Sequence, residues 1–336
     1  MSLFRAEVRR LTLRRFTRWL VVGSAGILVA IAVGMFLSNQ KPTPETTARA
    51  TADAQRQFEQ DTRYAQQEMQ RCQAAPGTPE AQNYPADCSQ MYVPQAEDYG
   101  PEGYMPSAFI FRENFGDMLT TFAAIFALTA FVIGASYVGA EWNSGGMMNL
   151  LLWRPRRLQV LGTKLAALLA TMGALSVAGL AVWTGIFLAT AKLRGNTDGM
   201  TAGAWTSTLL TELRAVVLVL VAAAIGFGLA SIGRHTALAL GVAVGVVVIF
   251  QFGLFIVLSQ AKVSFAEVTL LPVWAGVWMS KKAELQDYYG CDFSATQGCQ
   301  PDTLTLTWPM AGGLLTALVV LVVGGAMWTM RSRDIA

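Results

Sequence analysis

Six apolar stretches, residues 19–37, 118–138, 165–191, 216–232, 236–258 and 310–330, are each long enough to cross a bilayer, and this constrains the chain more than any other feature. About 20 residues at 1.5 Å per residue span the roughly 30 Å hydrocarbon core. Backbone groups in lipid must be satisfied within the protein, so only helices or a closed barrel can cross. Barrel strands alternate apolar and polar residues, and these runs do not. The sequence therefore predicts an all-α integral membrane protein with six transmembrane helices. Composition agrees: 53% of the 336 residues are hydrophobic and only 14% are charged, against about 25% charged in soluble domains. The net charge of +3 is too small for a dedicated nucleic-acid binder.

Charge placement orients the spans. Residues 1–18, 141–164, 233–235 and 331–336 hold 13 of the 25 Lys/Arg but 3 of the 22 Asp/Glu, leaving 12 and 19 for the rest of the chain. The basic set lies in short segments against span ends, where the positive-inside rule operates. Both termini are expected in the cytoplasm of a bacterial-type plasma membrane, and the first span is expected to be retained, because Ser38-Asn39-Gln40 offers no small-residue cleavage pattern.

With that topology, residues 1–18 form a cytoplasmic amphipathic elbow helix whose six arginines favour an anionic leaflet. Residues 38–117 form an extracytoplasmic domain. Its positions 46–74 lack Pro and Gly and place Ala54, Phe58, Ala65, Met69 and Cys72 on one helical stripe; residues 76–106, with six prolines, read as ordered loop. Residues 139–164 form a cytoplasmic loop, 192–215 and 259–309 are outer loops, and 331–336 is a cytoplasmic tail. Phe265 to Met279 is apolar but too short to span and carries Glu267 and Pro272, which suggests a pair of re-entrant or interfacial short helices. Cys72, Cys88, Cys291 and Cys299 all fall on the outer, oxidising side, consistent with two disulfides. Local pairing of Cys72 with Cys88 and Cys291 with Cys299 is the simplest of three connectivities. The single histidine, His235, lies on the opposite side, so no metal site is expected.

The loop after the second span reads Gly139-Ala140-Glu141-Trp142-Asn143-Ser144-Gly145-Gly146-Met147-Met148-Asn149-Leu150-Leu151-Leu152-Trp153-Arg154-Pro155-Arg156-Arg157, followed by Leu161-Gly162-Thr163-Lys164-Leu165. It resembles the ABC-2 type permeases, the membrane half of one class of ATP-binding-cassette transporters. Their pattern is a Glu followed by Gly at the inner end of the second span, a short apolar helix, an Arg-Pro turn and a Lys before the third span. The ending Arg331-Ser332-Arg333-Asp334-Ile335 is similar to the family's basic tail. Gly146 departs from the Thr or Ser of many members, and the outer domain is longer than in minimal ones.

The resemblance implies a permease subunit of an ATP-driven transporter, exporting an amphipathic or hydrophobic solute such as a drug, peptide or lipid-like molecule. The partners it implies are cytosolic ABC ATPase subunits and a second permease copy or homologue, with membrane lipid around them. It also implies that Glu141, Trp142, Gly145, Met147, Leu150, Arg154, Arg156 and Arg157 couple the chain to the ATPase. In physical terms, Asn143, Ser144 and the paired glycines break the span, and Met147 to Trp153 then form a short helix with adaptable side chains that fits a groove. The same residues allow Glu141 to pair with Arg154, Arg156 or Arg157 within the loop and brace the turn with no partner involved.

No GxxxxGK[ST] loop occurs in the chain, so ATP and magnesium are expected in the partner, and no cofactor or catalytic residue in this chain. The span centres lack ionisable groups, which speaks against ion-coupled transport. Gln251 faces either the translocation route or a neighbouring helix, Glu212 and Arg214 read as interfacial anchors, and Gly241 and Gly245 form a GxxxG pair. Two other classes remain at this stage: a non-catalytic membrane scaffold or immunity-type protein, and an intramembrane enzyme, which would need a Ser–His pair or HExxH that His235 does not supply.

Overall fold

The structure is a computed structural model and describes residues 3–79, 83–85, 87–153, 156–288 and 301–332. Arg154, Cys291, Cys299 and the tail residues Arg333 and Asp334 lie outside the described residues.

Helix α1 covers Leu3–Leu13 and α2 covers Arg15–Ser38. They are followed by α3 (Pro44–Ala74), α4 (Phe111–Asn143), α5 (Gly146–Trp153), α6 (Arg157–Arg194) and α7 (Ala202–Gly233). The next crossing is one helical run over Thr236–Gln260. It comprises α8 (Thr236–Gly245), a π-helical stretch (Val246–Leu254) and α9 (Phe255–Gln260). Helices α10 (Leu271–Ser280) and α11 (Trp308–Ser332) complete the set. Six of these runs are long and apolar enough to cross a membrane.

The helices overrun the apolar windows. Helix α4 already begins at Phe111, ahead of the apolar window 118–138, and α6 begins at Arg157, which shortens the connection after α4. Hydropathy reports where lipid is, whereas a helix continues until its backbone groups are capped. Residues 266–280 hold a 3₁₀ turn (Ala266–Thr269) followed by α10. The expected all-α class needs one correction. Strand β3 (Lys282–Asp287) pairs antiparallel with β4 (Asp302–Thr307), and the two-residue strands β1 (Phe109–Ile110) and β2 (Gly195–Asn196) pair in parallel. The alternation Lys-Ala-Glu-Leu-Gln-Asp against Asp-Thr-Leu-Thr-Leu-Thr is the period-2 signal of a half-buried hairpin.

The chain divides into two compact units. One comprises residues up to 32, 112–187 and from 199 onward; the other comprises 33–111 and 188–198. In the second, α3 starts at Thr43, whose side chain accepts from Thr46 N, with Pro44 in the first turn. Its inward stripe buries Ala50, Ala54 and Cys72. The Pro-rich segment packs on that stripe: the Phe58 and Tyr99 rings lie 5.6 Å apart, the Tyr99 hydroxyl donates to Asp61 Oδ2 at 2.7 Å, and Cys72 is disulfide-bonded to Cys88.

In the first unit, α4 and α7 approach at two glycines. A Cβ on Gly134 would press on the Ala223 carbonyl, and one on Gly226 on that of Phe131. Phe122, Trp183 and Phe187 pack α4 against α6, with Trp183 Nε1 donating to Met118 O at 3.0 Å. The β3–β4 hairpin closes over Val277, Leu306 and Ala311, and Trp278 donates to Arg214 O at 2.9 Å. Arg214 also sits 5.2 Å from the Trp308 ring centre. His235 is the N-cap of α8, its Nδ1 accepting from Ala237 N at 3.1 Å.

Candidate functional site

Helix α4 stops because Gly145 turns the backbone to φ 71°, a left-handed conformation that costs glycine little. The eight residues of α5 then fold back on the chain. Met147 and Leu151, one turn apart, are buried, and Leu150 is half-buried, whereas Leu152 and Trp153 are 84% and 82% exposed. The short helix is thus fastened on one side and bare on the other. Trp142, just before the turn, lies under the Arg234 guanidinium at 5.0 Å. Arg156 is exposed and Arg157 half-buried at the start of α6. With Leu158, Gln159 and Arg331 they line a basic depression of about 470 Å³.

Glu141 pairs with Lys164 and Arg10. Its Oε2 lies 2.7 Å from Lys164 Nζ, and its Oε1 lies 3.4 Å from Arg10 Nη1. The same Lys164 ammonium is 2.8 Å from Glu7 Oε2, which also accepts from the Tyr137 hydroxyl at 2.6 Å. Lys164 is 0% and Glu7 2% exposed. A buried ammonium is very costly unless paired; here two carboxylates supply the charge and Tyr137 supplies a further hydrogen bond. The consequence is structural: α1 is held to α4 and α6, with Leu11 fully buried and Arg14 Nη1 donating to Ser136 O at 3.1 Å. Burial depresses the pKa of the Arg14 guanidinium, and the Glu141 charge works against that shift.

The elbow arginines and the loop glutamate were visible in the sequence, but Glu7, Tyr137 and the role of Lys164 were not singled out. One signal was available: Glu7 is the only acid among the first 18 residues, an odd choice for a helix that simply rests on anionic lipid. Leu152 and Trp153 were likewise passed over in favour of Met147 and Leu150.

Gln251 sits in the π-helical stretch, where its Nε2 donates to Thr269 O at 3.3 Å and its Oε1 accepts from Leu271 N. Both ends of the amide are therefore spent on the backbone at the start of α10. Glu212 accepts from Thr184 Oγ1 at 2.6 Å. Of the two expected disulfides, Cys72–Cys88 is present with Cα atoms 6.0 Å apart. Among the described residues no group of three or more His, Cys, Asp or Glu is arranged to hold a metal.

Residues 2–331 match the family described as ABC-2 family transporter protein. The chain belongs to that family. No curated protein and no solved structure matches it. Membership makes the chain a multi-pass membrane permease and takes precedence over the scaffold and intramembrane-enzyme readings.

Proposed function

We propose that this ABC-2 permease exports an amphipathic or hydrophobic solute (a drug, peptide or lipid-like molecule), driven by cytosolic ATPase subunits that bind ATP and magnesium. It works as two copies, or as one copy with a homologue. The observation that carries the reading is the two-sided α5: Met147 and Leu151 anchor it, while Leu152 and Trp153 are left bare, and Arg156 and Arg157 follow within four residues of Trp153 in the chain. An aromatic anchor flanked by cations is the composition that dominates protein interfaces, and a short helix in a groove is a common way to present it.

Both termini face the cytoplasm in this reading, which puts α5 and the basic segments on the side of the motor. The disulfide of the α3 unit supports the opposite, oxidising location for that part. The outward direction follows from the family resemblance. Glu141, Trp142 and Gly145 fix where α5 leaves the span, and ATP-driven closure of the motors displaces α5 and rocks the spans as rigid bodies.

Co-purification with the cognate ATPase tests the proposal. Trp153→Ala and Leu152→Ala should weaken ATPase recovery, by about 30-fold in affinity for a hot-spot residue worth about 2 kcal/mol, while the permease stays folded. Recovery equal to wild type for both variants would remove α5 as the docking element.

A further inference from the structure

The Lys164 ammonium touches two carboxylates from different parts of the chain. Glu7 belongs to the N-terminal helix and Glu141 to the inner end of α4, and at 2.8 and 2.7 Å from one nitrogen their Oε2 atoms are at most 5.5 Å apart. All three side chains are buried or nearly so, with Glu141 14% exposed. Removing the cation leaves two like charges facing each other away from water, and removing Glu7 takes away the carboxylate through which Lys164 holds α1, leaving the 3.4 Å Arg10–Glu141 pair.

Helix α1 is in turn stiffly joined to the first span. Only Arg14 separates α1 from α2, Arg18 N donates to Arg14 O at 3.1 Å, and Arg18 Nε reaches back to Thr12 O at 3.1 Å. A continuous set of contacts, buried at Lys164 and Glu7, therefore runs from the inner end of α4 through Glu141, Lys164 and Glu7 to α1, and through the Arg14 junction to α2.

We propose that Lys164 is a positioning residue for coupling: it makes the N-terminal helix a moving part of the machinery, so that displacement of α5 reaches the first span through α1. The inference rests on the reading that α5 meets the ATPase. Lys164 touches neither cargo nor nucleotide in this scheme. It holds two elements in register, and a set of contacts of this kind transmits motion only while it is intact.

The test uses the full permease with its cognate ATPase in lipid nanodiscs, comparing wild type, Lys164→Met, Glu7→Gln and the double variant. Two quantities are read: ATPase recovered with the permease, and hydrolysis stimulated by the permease over the ATPase alone. Lys164→Met should leave recovery within about twofold and cut stimulated hydrolysis roughly tenfold, the size of effect that contact-network substitutions produce. Adding Glu7→Gln to Lys164→Met should cost little more than Lys164→Met alone, because both changes cut the same tie between α1 and α6; losses that multiply would overturn the shared tie.

If wild-type permease recovers no ATPase, the coupling reading itself fails. If wild type couples and Lys164→Met and Glu7→Gln couple equally well, the role of Lys164 fails alone. Should Lys164→Met not fold, Glu7→Gln decides, since it keeps the Lys164–Glu141 pair. Full coupling in that variant overturns the proposal.

Discussion

Substituting Gly226 with alanine tests the tightest helix contact in the first unit. The added methyl would sit 2.9 Å from Phe131 C, 3.1 Å from its Cα and closer still to its carbonyl oxygen. These are backbone atoms of α4, which cannot rotate away as the tip of a side chain can, so the two helices must part. Gly134 faces α7 in the same way, its added Cβ lying 3.1 Å from Phe227 N and nearer to Ala223 O. Overpacking of this kind costs about 1–3 kcal/mol, and a rigid obstacle argues for the upper end. Alanine also gains up to about 1 kcal/mol over glycine inside a helix, which has to be removed from the comparison. Gly185→Ala does so, because that position lies within α6 and a Cβ there meets nothing within 4 Å. The difference between the two variants then reports packing alone, about 3 kcal/mol. At about 2–4 °C per kcal/mol for a chain of this order of size, Gly226→Ala should melt roughly 6–12 °C below Gly185→Ala in the same detergent. Equal melting temperatures would show that α4 and α7 do not approach through these glycines.

Three further outcomes concern the α3 unit and the orientation of the chain. Cys88→Ser opens a cross-link between residues 16 apart, worth about 3 kcal/mol for a loop of that length, and should make the segment after α3 cut faster in limited proteolysis; an unchanged rate would show that packing on α3 suffices. The Tyr99 phenol is pushed up to about 12, first by its hydrogen bond to Asp61 and then by desolvation. The native state thus keeps a proton that the unfolded chain releases near 10, so this contribution is complete below about pH 10 and lost as pH rises through about 12. Phenolate absorbance should show that late midpoint in the intact protein, and Asp61→Asn should bring it back toward 10. In a cysteine-free background, Asn149→Cys should react with an impermeant reagent only after cells are opened and Thr78→Cys in intact cells; the reverse pattern would invert the orientation drawn from charge.

The spans, the stripe of α3 and the short apolar helix at 146–153 were legible because each depends on neighbours a few residues away. The β3–β4 hairpin was present as alternation but runs only six residues per strand, too short to stand out beside the apolar runs around it. Of the buried cluster, Glu141 and Lys164 were legible as parts of the loop pattern, but their meeting with Glu7 and Tyr137 was not. Glu7 meets Tyr137 across 130 positions of sequence, and nothing in a basic amphipathic segment says which of its residues turns away from lipid. Gln251 was read as a polar residue in a span with two uses open; only the position of α10 shows where its amide is spent.

Sequence by itself determined that this chain has six runs long and apolar enough to cross a membrane, because the bilayer acts as a solvent and selects apolar length residue by residue. It also determined that Cys72 and Cys88 lie close enough in the chain for a local pair, and where the chain breaks after the second apolar run. Tertiary structure decided which of the many charged residues at the helix ends are structural. Burial of an ion is permitted only where distant segments bring it a counter-charge, and for Lys164 those segments are the first helix of the chain and the end of α4.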